Sequence, residues 1–451
     1  MKSKQLNLTS GPILATLTEL ALPIMASSFL STAYNITDMA WIGMLGSKAV
    51  AGVGVGGMYV WLSQGLCSLA RMGGQVNMAQ ALGRRDRDSA ITYANVALQL
   101  TILFGLFFTA ICLIFTDPLL HFFNLTDPEA YNSARIYMLI TCGLILLPYL
   151  TQTLTGLYTA QGDSKTPLKA NFLGLALNMI LDPVLILGAG PFPRLEVIGA
   201  AVATVTSQFL VLTVLVVNLF KDHNETNILR HSSPLRKSGS GYYKDVFRIG
   251  IPTALQGSIY CMISMVLTRM VSVFGAGAIA VQRVGGQIES LSWNTADGFG
   301  SALNAFMGQN YGARQTDRIR KGYSISFRLL VAWGLLITAA FVFIPQPISS
   351  LFFHEEDVVL ISVSYLIIIG LSEVFMSVEL MTVGALSGLG KTKLCSIISI
   401  IFTGMRIPLA MLLSATPLGL DGIWWALTAT SILKGIIFYF VFQYIVRHSL
   451  Y

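Results

Sequence analysis

Long apolar segments, separated by short polar or Gly/Pro-containing connections, run along almost the whole chain. Each is at least as long as a membrane-spanning helix requires, roughly 20 residues. The segments fall into two series of six, at residues 14–37, 48–80, 91–116, 130–158, 166–189 and 196–220, and then at 244–272, 277–310, 322–348, 359–388, 393–415 and 420–446. The pattern predicts an all-α integral membrane protein with twelve transmembrane helices.

The composition supports a membrane protein. Hydrophobic residues make up 54% of the chain and charged residues only 11%, against about 25% charged residues in ordinary soluble domains. So few charges cannot cover the surface of several soluble domains. We also expect no cleavable signal peptide, because the polar start MKSKQLNLTSG leads into a long span without a small-residue cleavage pattern.

The basic residues predict the orientation in the membrane. The connections on the side shared by the two chain ends hold 20 of the 29 Lys and Arg residues, whereas the opposite connections hold only Lys48, Arg135 and Arg194. Since basic connections stay in the cytoplasm, both termini are predicted to be cytoplasmic and the chain to cross the inner (plasma) membrane many times. The same bias accounts for the net charge of +7, so nucleic acid is not an expected partner.

Several familiar signals for chemistry are absent or misplaced. The five cysteines stand singly in apolar segments, which favours packing over metal binding or disulfides. GVGVGG at 52–57 lies inside a span with no preceding strand, and GLGKT at 388–392 lacks the first glycine of a phosphate-binding loop. We therefore expect no enzyme activity, no cofactor and no ATPase subunit, which leaves an ion gradient as the energy source.

The chain contains an internal repeat. A constant shift of 229 residues, without a gap, places the following residues on one another: Pro23 on Pro252, Gly46 on Gly275, Ser63 on Ser292, Met78 on Met307, Gln80 on Gln309, Gly83 on Gly312 and Arg85 on Arg314. The repeat predicts an N-lobe at 1–220, a cytoplasmic linker at 221–243 and a C-lobe at 244–451. Two lobes of one topology around a cleft at the membrane midplane are typical of transporters.

Two acids in the first lobe are the main functional candidates, because a charged side chain in a span costs roughly 3 kcal/mol unless it is paired or hydrated. Asp38 has Asn35 one helical turn before it, and Asn178 shares a face with Asp182. Such oxygens can coordinate Na⁺, with Asp38, Asn178 and Asp182 as the metal ligands, or can hold a proton that is released when access to water changes.

Structural alternatives exist for both acids. Asp182 precedes a proline, so its whole role could be to cap a restarted helix. Asp38 could simply point into an outer vestibule. A functional role is favoured because the repeat-equivalent residues of the second lobe are Leu267 and Ile407.

The second lobe has its own set of charges. They are Arg269, Arg283, Glu289, Asp297, Glu373, Glu379, Arg406 and Lys434. Equal numbers of acids and bases suggest internal ion pairs, and the alternative is a polar patch for a cationic substrate or a second ion site, in which we favour Glu289 and Glu373. Met39, Met58 and Met262 lie in spans expected to face the cleft, where flexible side chains suit varied lipophilic substrates.

Several motifs together resemble the multidrug and toxic compound extrusion (MATE) transporters over nearly the whole chain. These are LALPIMASS and IGIPTALQGS at the start of the two lobes, TDMAWIGMLGSKAVAGVG after span 1, TAQGDSKTP after span 4, ALNMILDPVLILG in span 5 and GQNYGARQTD after span 8. The resemblance implies cation-coupled export of organic cations or amphipathic compounds by rocking of two six-helix bundles.

The resemblance also implies roles for particular residues. The acidic pair is similar to that of DinF-like members, which bind H⁺ or Na⁺ at positions matching Asp38, Asn178 and Asp182, with Tyr137 and Thr155 completing the network. A NorM-like branch uses acids of spans 7 and 10 instead. This chain has Ser258 and Met376 near those places, with Glu373 and Glu379 one turn either side of Met376.

The sequence therefore predicts a secondary active multidrug exporter, an antiporter that exchanges lipophilic or cationic small molecules for H⁺ or Na⁺ and works as a monomer in the bilayer. The runner-up is a flippase for a lipid-linked precursor or polysaccharide in the same superfamily, which would show a larger, more cationic cavity. A channel and a membrane enzyme are weaker alternatives, since no His-rich, Ser/His or metal-ligand cluster is present in the sequence.

Overall fold

The computed structural model describes residues 6–123, 127–188, 193–221, 227–353, 355–448 and 450. These residues form α-helices, one short 3-10 helix and no strand. The predicted all-α class is confirmed.

The first half of the chain contains eight helices. They are α1 (Ile13–Gly43), α2 (Ser47–Gly83), α3 (Arg87–Ile114), α4 (Thr116–His121), α5 (Pro128–Gly143), α6 (Leu146–Ala160), α7 (Lys165–Ile186) and α8 (Glu196–Lys221). The 3-10 helix, Ile228–His231, follows α8.

The second half repeats this order. Its helices are α9 (Ser240–Ser272), α10 (Ala276–Gly312), α11 (Thr316–Phe343), α12 (Pro345–Ser350), α13 (Glu356–Gly370), α14 (Glu373–Gly388), α15 (Thr392–Gly404), α16 (Arg406–Ser414) and α17 (Leu420–His448).

The helices account for twelve membrane spans. Within the described ranges, nine segments are long and apolar enough to cross a membrane alone, and α15 with α16 counts as one of them. Two more spans are bent pairs, α5 with α6 at 46° and α13 with α14 at 50°. Helix α10 is less apolar and is not among these eleven; we count it as the twelfth because it is the repeat equivalent of the span α2.

The internal repeat is present in the structure. Helices α2 and α10 are both 37 residues long and α3 and α11 are both 28, and their ends keep the offset seen in the sequence. Gly46 and Gly275 directly precede α2 and α10 with φ of 105° and 101°, a backbone conformation that favours glycine. The two halves therefore share the order and length of these helices and also the backbone conformation of the glycine before α2 and α10.

The described chain packs into two compact units. The first unit comprises Met1–Asn7 and Ala26–Ala254, and the second comprises Leu8–Met25 and Leu255–Tyr451. Helices α1 and α9 thus each contribute one part to either unit. The lobe boundaries at 220/221 and 243/244 stay a sequence prediction.

Each unit has a central helix that positions its polar residues. In the first unit α2 packs against α3, α5 and α6, and α7 packs along α8. In the second unit α14 packs against α10, α11 and α17. Close contacts at small residues permit this packing: a Cβ added to Gly384 of α14 would lie 2.2 Å from the Gly300 carbonyl oxygen of α10.

Candidate functional site: a buried acid cluster in the first unit

Helices α1 and α7 place two acids inside the first unit. Asp38 is only 8% exposed, and Asp182 is fully buried. The Asn178 amide nitrogen, one helical turn before Asp182, donates a hydrogen bond to Asp182 Oδ1 at 3.2 Å. The one-turn spacing of Asn178 and Asp182 thus has the predicted consequence that their side chains meet.

The cluster is rich in oxygen acceptors that lack donors. Asp38 Oδ1, Asn178 Oδ1 and Asp182 Oδ2 are buried and receive no hydrogen bond from the described part of the chain. No described Lys or Arg forms an ion pair with either acid. Because a buried acceptor without a partner costs about 1–3 kcal/mol, and more when charged, this arrangement suits a proton or a small cation.

Two tyrosines and a threonine border the acids. The Tyr34 hydroxyl donates to Thr204 Oγ1 of α8 at 2.9 Å. Tyr137 of α5 lies beside the same threonine, close enough to both Asp38 and Asp182 to interact with them electrostatically. The two carboxylates also lie within electrostatic range of each other. Four helices, α1, α5, α7 and α8, therefore enclose the acid cluster.

The structure places two other predicted residues elsewhere. Asn35 is exposed on α1, and Thr155 is partly buried on α6. Within the described residues, neither one makes a hydrogen bond to either carboxylate. Their proposed part in ion coupling stays a prediction.

Sequence reasoning missed Tyr34 and Thr204, although helical geometry gives a signal for Tyr34. At 3.6 residues per turn, a residue four positions away lies about 40° around the helix, whereas one three positions away lies about 60° around it. Tyr34 therefore shares the face of Asp38 more closely than Asn35 does. Thr204 had no such signal, because its contact depends on how α8 packs.

A cavity of about 60 Å³ lies beside Tyr34. Polar groups of α1, α7 and α8 line it, among them Ser31, Tyr34, Asn171 and Ser207. Residues 31 and 171 precede Asp38 and Asp182 in helices that both start on the side of the basic connections. The cavity therefore lies on that side of the acids, and the unpartnered Ser207 hydroxyl adds another polar atom.

The charges of the second unit behave differently. Lys434 Nζ lies 2.7 Å from Glu379 Oε1 in a buried ion pair. The Arg406 guanidinium donates to Thr430 Oγ1 at 3.1 Å and to Ser431 Oγ at 2.9 Å. The internal pairing expected from the equal numbers of acids and bases is thus present for Glu379 and Lys434.

Glu289 and Glu373, the acids favoured for a substrate patch, are close to each other inside the second unit. Glu289 accepts a hydrogen bond from the Tyr365 hydroxyl at 3.3 Å. Glu373 is fully buried beside Ser292, and no Lys or Arg among the described residues forms an ion pair with it. Because Glu379 is paired, Glu373 is the unpaired acid of α14.

The three methionines proposed to contact substrate are exposed on their units. Met39, Met58 and Met262 are 41%, 44% and 63% exposed. Their accessibility is compatible with substrate contact, which stays a prediction.

Twelve spans in two repeated six-helix halves, with a cluster of two unpaired acids buried in the first half, define the class of secondary transporters. The family model MatE matches residues 23–184 and 252–412, once in each half of the chain. The chain therefore belongs to the MatE family, as the sequence motifs indicated.

Similar proteins cover almost the full chain. The probable multidrug resistance protein NorM of Thermotoga maritima is 30% identical over 428 residues, which is 93% of this chain and 89% of the relative. The FAD transporter of Shewanella oneidensis is 26% identical and covers 97% of this chain and 96% of its own.

Solved structures show the same fold. A crystal structure of MATE in the bent conformation superposes with a TM-score of 0.90 at 22% identity, covering 99% of this chain and 98% of that one. The outward-facing conformation of a multidrug resistance MATE family transporter of the MOP superfamily has a TM-score of 0.89 at 23% identity, with 99% of both chains covered.

Proposed function

We propose that the protein is a secondary active multidrug exporter of the plasma membrane, with both termini in the cytoplasm. It exchanges lipophilic or cationic small molecules for a monovalent cation, H⁺ or Na⁺. The cation binds between Asp38 and Asp182, and its occupancy decides on which side of the membrane the substrate is released. The observation that carries this proposal is the set of buried oxygens on Asp38, Asn178 and Asp182 that have no donor.

The chemistry of the cluster supports a small monovalent cation. A proton or a sodium ion neutralises part of the charge of two nearby carboxylates, which would otherwise repel each other in a poorly hydrated site. The Asn178 amide fixes the orientation of the Asp182 carboxylate through its hydrogen bond and leaves its own oxygen free for the ion. The polar cavity beside Tyr34 offers an exit for the ion toward the basic side, which we assign to the cytoplasm.

The proposed exchange has a defined driving force. One monovalent cation exchanged for one drug monocation moves no net charge, so only the chemical gradient drives export, at about 1.4 kcal/mol per tenfold gradient. If each carboxylate carried a cation, the membrane potential would add about 2.3 kcal/mol per 100 mV. Transport measured at fixed pH and Na⁺ while the voltage is varied distinguishes the two stoichiometries.

The lipid-precursor flippase is less well supported. Such a protein would need a cationic cavity for a diphosphate-linked lipid, whereas acids form the buried cluster of the first unit. The names of similar proteins also favour small-molecule transport.

The test is ethidium efflux from proteoliposomes with an imposed pH or Na⁺ gradient. We expect Asp38→Asn and Asp182→Asn each to slow gradient-driven efflux by roughly tenfold or more, the equivalent of losing about 1.4 kcal/mol of coupling. The matched control is Asp117→Asn, which removes an exposed acid paired with Arg135 and should leave efflux unchanged. Full gradient-driven efflux in both site variants would disprove the proposal.

Two further arms refine the result. Applying the pH gradient without Na⁺, and the Na⁺ gradient without a pH difference, identifies the coupling ion. Replacing ethidium by FAD asks whether the chain transports the substrate named for the Shewanella oneidensis relative; FAD export without any ethidium export would overturn the multidrug assignment.

A further inference from the structure

A second cavity lies in the second unit, and its lining includes none of the acids or methionines discussed so far. Its volume is about 320 Å³, and it opens between α11 and α17. Both helices pack against α14, which leaves a groove between them. Nothing in the proposed coupling mechanism uses this groove.

The groove is lined in layers that follow the depth of the membrane. Its lining comprises Arg320, Tyr323, Ser324 and Phe327 of α11 with Tyr439, Phe442, Gln443, Val446 and Arg447 of α17. Helix α11 starts on the basic side and α17 ends there. The two arginines therefore lie at the membrane surface, the hydroxyl and amide lie one turn deeper, and the aromatic rings of Phe327 and Tyr439 lie deeper still.

The spacing of these layers matches one leaflet of a bilayer. Arg320 and Ser324 are four residues apart on α11, which is about 6 Å along the helix axis. The headgroup region adds about 5–7 Å to the hydrocarbon core on each side of a membrane. The change from charged to aromatic lining therefore occurs over the distance in which a phospholipid changes from phosphate to hydrocarbon.

The arginines are available for an anionic ligand. Both are exposed, and neither forms an ion pair within the part of the chain that the structure describes. Arg320 uses one terminal nitrogen to donate to the Val446 carbonyl oxygen at 3.3 Å, which fixes the guanidinium at the mouth of the groove. No carboxylate is among the lining residues. The mouth therefore carries positive charge.

The floor of the groove is closed and rigid. Tyr323 stacks on Phe442 with ring centroids 3.6 Å apart, and the Tyr323 hydroxyl hydrogen-bonds with Thr382 of α14 at 2.9 Å. Both rings are at most 2% exposed. A ligand can therefore lie along the groove but cannot enter the interior of the unit from it.

The repeat shows what such a groove holds in the first unit. There the equivalent helices are α3 and α8, and the 3-10 helix packs against both. Its Ile228 and Leu229 are buried, and the Ser233 amide donates to Asn95 Oδ1 at 2.6 Å. Asn95 is the residue that the 229-residue offset places on Ser324. The first unit thus fills the equivalent groove with a segment that combines an apolar and a polar part.

We propose that the α11–α17 groove binds an anionic phospholipid of the surrounding membrane. Arg320 and Arg447 hold the phosphate, as basic pockets between transmembrane helices do on the cytoplasmic side. Ser324 and Gln443 face the ester region, and an acyl chain lies along Phe327 and Tyr439. In the first unit the 3-10 helix occupies the equivalent groove. In the second unit no described segment of the chain fills the groove, and the lipid takes that place.

The test measures lipid binding to purified full-length protein and does not depend on transport. Native mass spectrometry and thermal unfolding in detergent are recorded with added phosphatidylglycerol, phosphatidylcholine or inorganic phosphate. We expect phosphatidylglycerol to bind and to raise Tm, and Arg320→Gln/Arg447→Gln to weaken its binding by about tenfold or more, the equivalent of about 1.4 kcal/mol. The control Lys321→Gln/Arg328→Gln removes two exposed charges from α11 outside the groove and should bind as the parent does.

A second variant tests the shape of the groove with its charges intact. Ser324 is exposed, so Ser324→Trp should fold normally and should exclude the lipid by filling the groove. Equal binding of phosphatidylcholine, equal weakening in the control, or undiminished binding to Ser324→Trp would each overturn the proposal. Stabilisation by inorganic phosphate alone would assign the arginines to a free anion and overturn it as well.

Discussion

Within the described residues, the partners of the buried acids distinguish Glu379 of the second unit, which is paired, from Asp38 and Asp182 of the first unit, which are not; Glu373 of the second unit is also unpaired. Glu379 has an ammonium 2.7 Å away, whereas Asp38 and Asp182 have only an amide and hydroxyl groups around them. A buried carboxylate beside an ammonium already has a counter-charge, while an unpaired one can gain a counter-charge when a cation arrives. Sequence alone could not make this distinction, because all these acids stand in similar apolar segments.

Breaking the buried pair should cost more stability than removing it. Lys434→Met leaves the Glu379 carboxylate buried without its partner, so we expect a loss of about 3–5 kcal/mol. Adding Glu379→Gln should restore a large part of the loss, because no uncompensated charge remains. Thermal unfolding in detergent gives both values. A double variant less stable than Lys434→Met would show that the pair is not what stabilises this region.

A second residue-scale prediction concerns backbone strain. Arg85 and Arg314 lie two residues after the ends of α2 and α10 and adopt the left-handed region, with φ of 59° and 55°, where a side chain costs about 1–2 kcal/mol. Arg85→Gly and Arg314→Gly should therefore each stabilise the protein by about 1 kcal/mol. The control is Arg84→Gly, which removes the same charge next to Arg85 at φ −74° and should be neutral or destabilising in the same unfolding assay.

At the scale of the helix, caps and close contacts determine where elements begin and how tightly they pack. The Asp127 side chain accepts hydrogen bonds from the Glu129 and Ala130 amides at 2.8 and 3.2 Å and so caps α5. Its other oxygen lies 3.1 Å from Lys48 Nζ. The hydrogen bond from the Lys48 ammonium, together with these amides, holds the pKa of Asp127 below its ordinary value.

The cap should make a pH-dependent contribution to stability. Because the folded-state pKa is lowered, the contribution is complete above the ordinary Asp pKa of about 3.9 and is lost as the pH falls through the lower folded value. The difference in Tm between the parent and Asp127→Asn, which keeps a capping oxygen but no charge, should be constant from pH 7 to 5 and shrink below about pH 4. A difference that grows on acidification would contradict this origin.

Helix packing gives opposite expectations for the same substitution at two glycines. Gly384→Ala would place a Cβ 2.2 Å from a backbone oxygen of α10, and such overpacking costs about 1–3 kcal/mol. Gly286→Ala on α10 meets nothing within 4 Å and should stabilise its helix by about 0.5–1 kcal/mol. Unfolding midpoints of the two variants should move in opposite directions; a shift of the same sign would place the close contact in doubt.

Local pattern explains which elements could be predicted. The twelve apolar segments and the 229-residue repeat specify helices and their order, and the one-turn spacing of Asn178 and Asp182 specifies their contact. The breaks at 144–145 and 371–372 directly follow Gly143 and Gly370, and Pro148 lies in the first turn of α6. A single glycine inside a long apolar segment is also tolerated in a continuous helix, so these residues did not by themselves predict the breaks. The packing of Ile228 and Leu229 against α3 was equally hidden, because it depends on contacts between residues more than a hundred positions apart.

At the scale of the whole molecule, the orientation of the chain in the membrane, with both termini in the cytoplasm, stays a prediction. The cysteines of the chain are all buried. A thiol introduced at an exposed site should therefore be the one that reacts with a membrane-impermeant maleimide. In intact cells we expect Lys48→Cys to be labelled and Lys165→Cys to be protected until the membrane is permeabilised. Both positions are exposed, and the reverse pattern would place the termini outside the cytoplasm.

Because the helices of the two halves begin and end at equivalent positions, a segment of one half can replace its equivalent in the other without changing the length of the chain. Residues 47–121 and 276–350 begin and end at equivalent positions, each with two long helices and one short one. A chimera carrying either segment twice would have no insertion or deletion at its junctions, so any loss of folding would report side-chain complementarity alone. Such a chimera therefore measures how far the two repeated segments have become specialised for the helices that each one packs against.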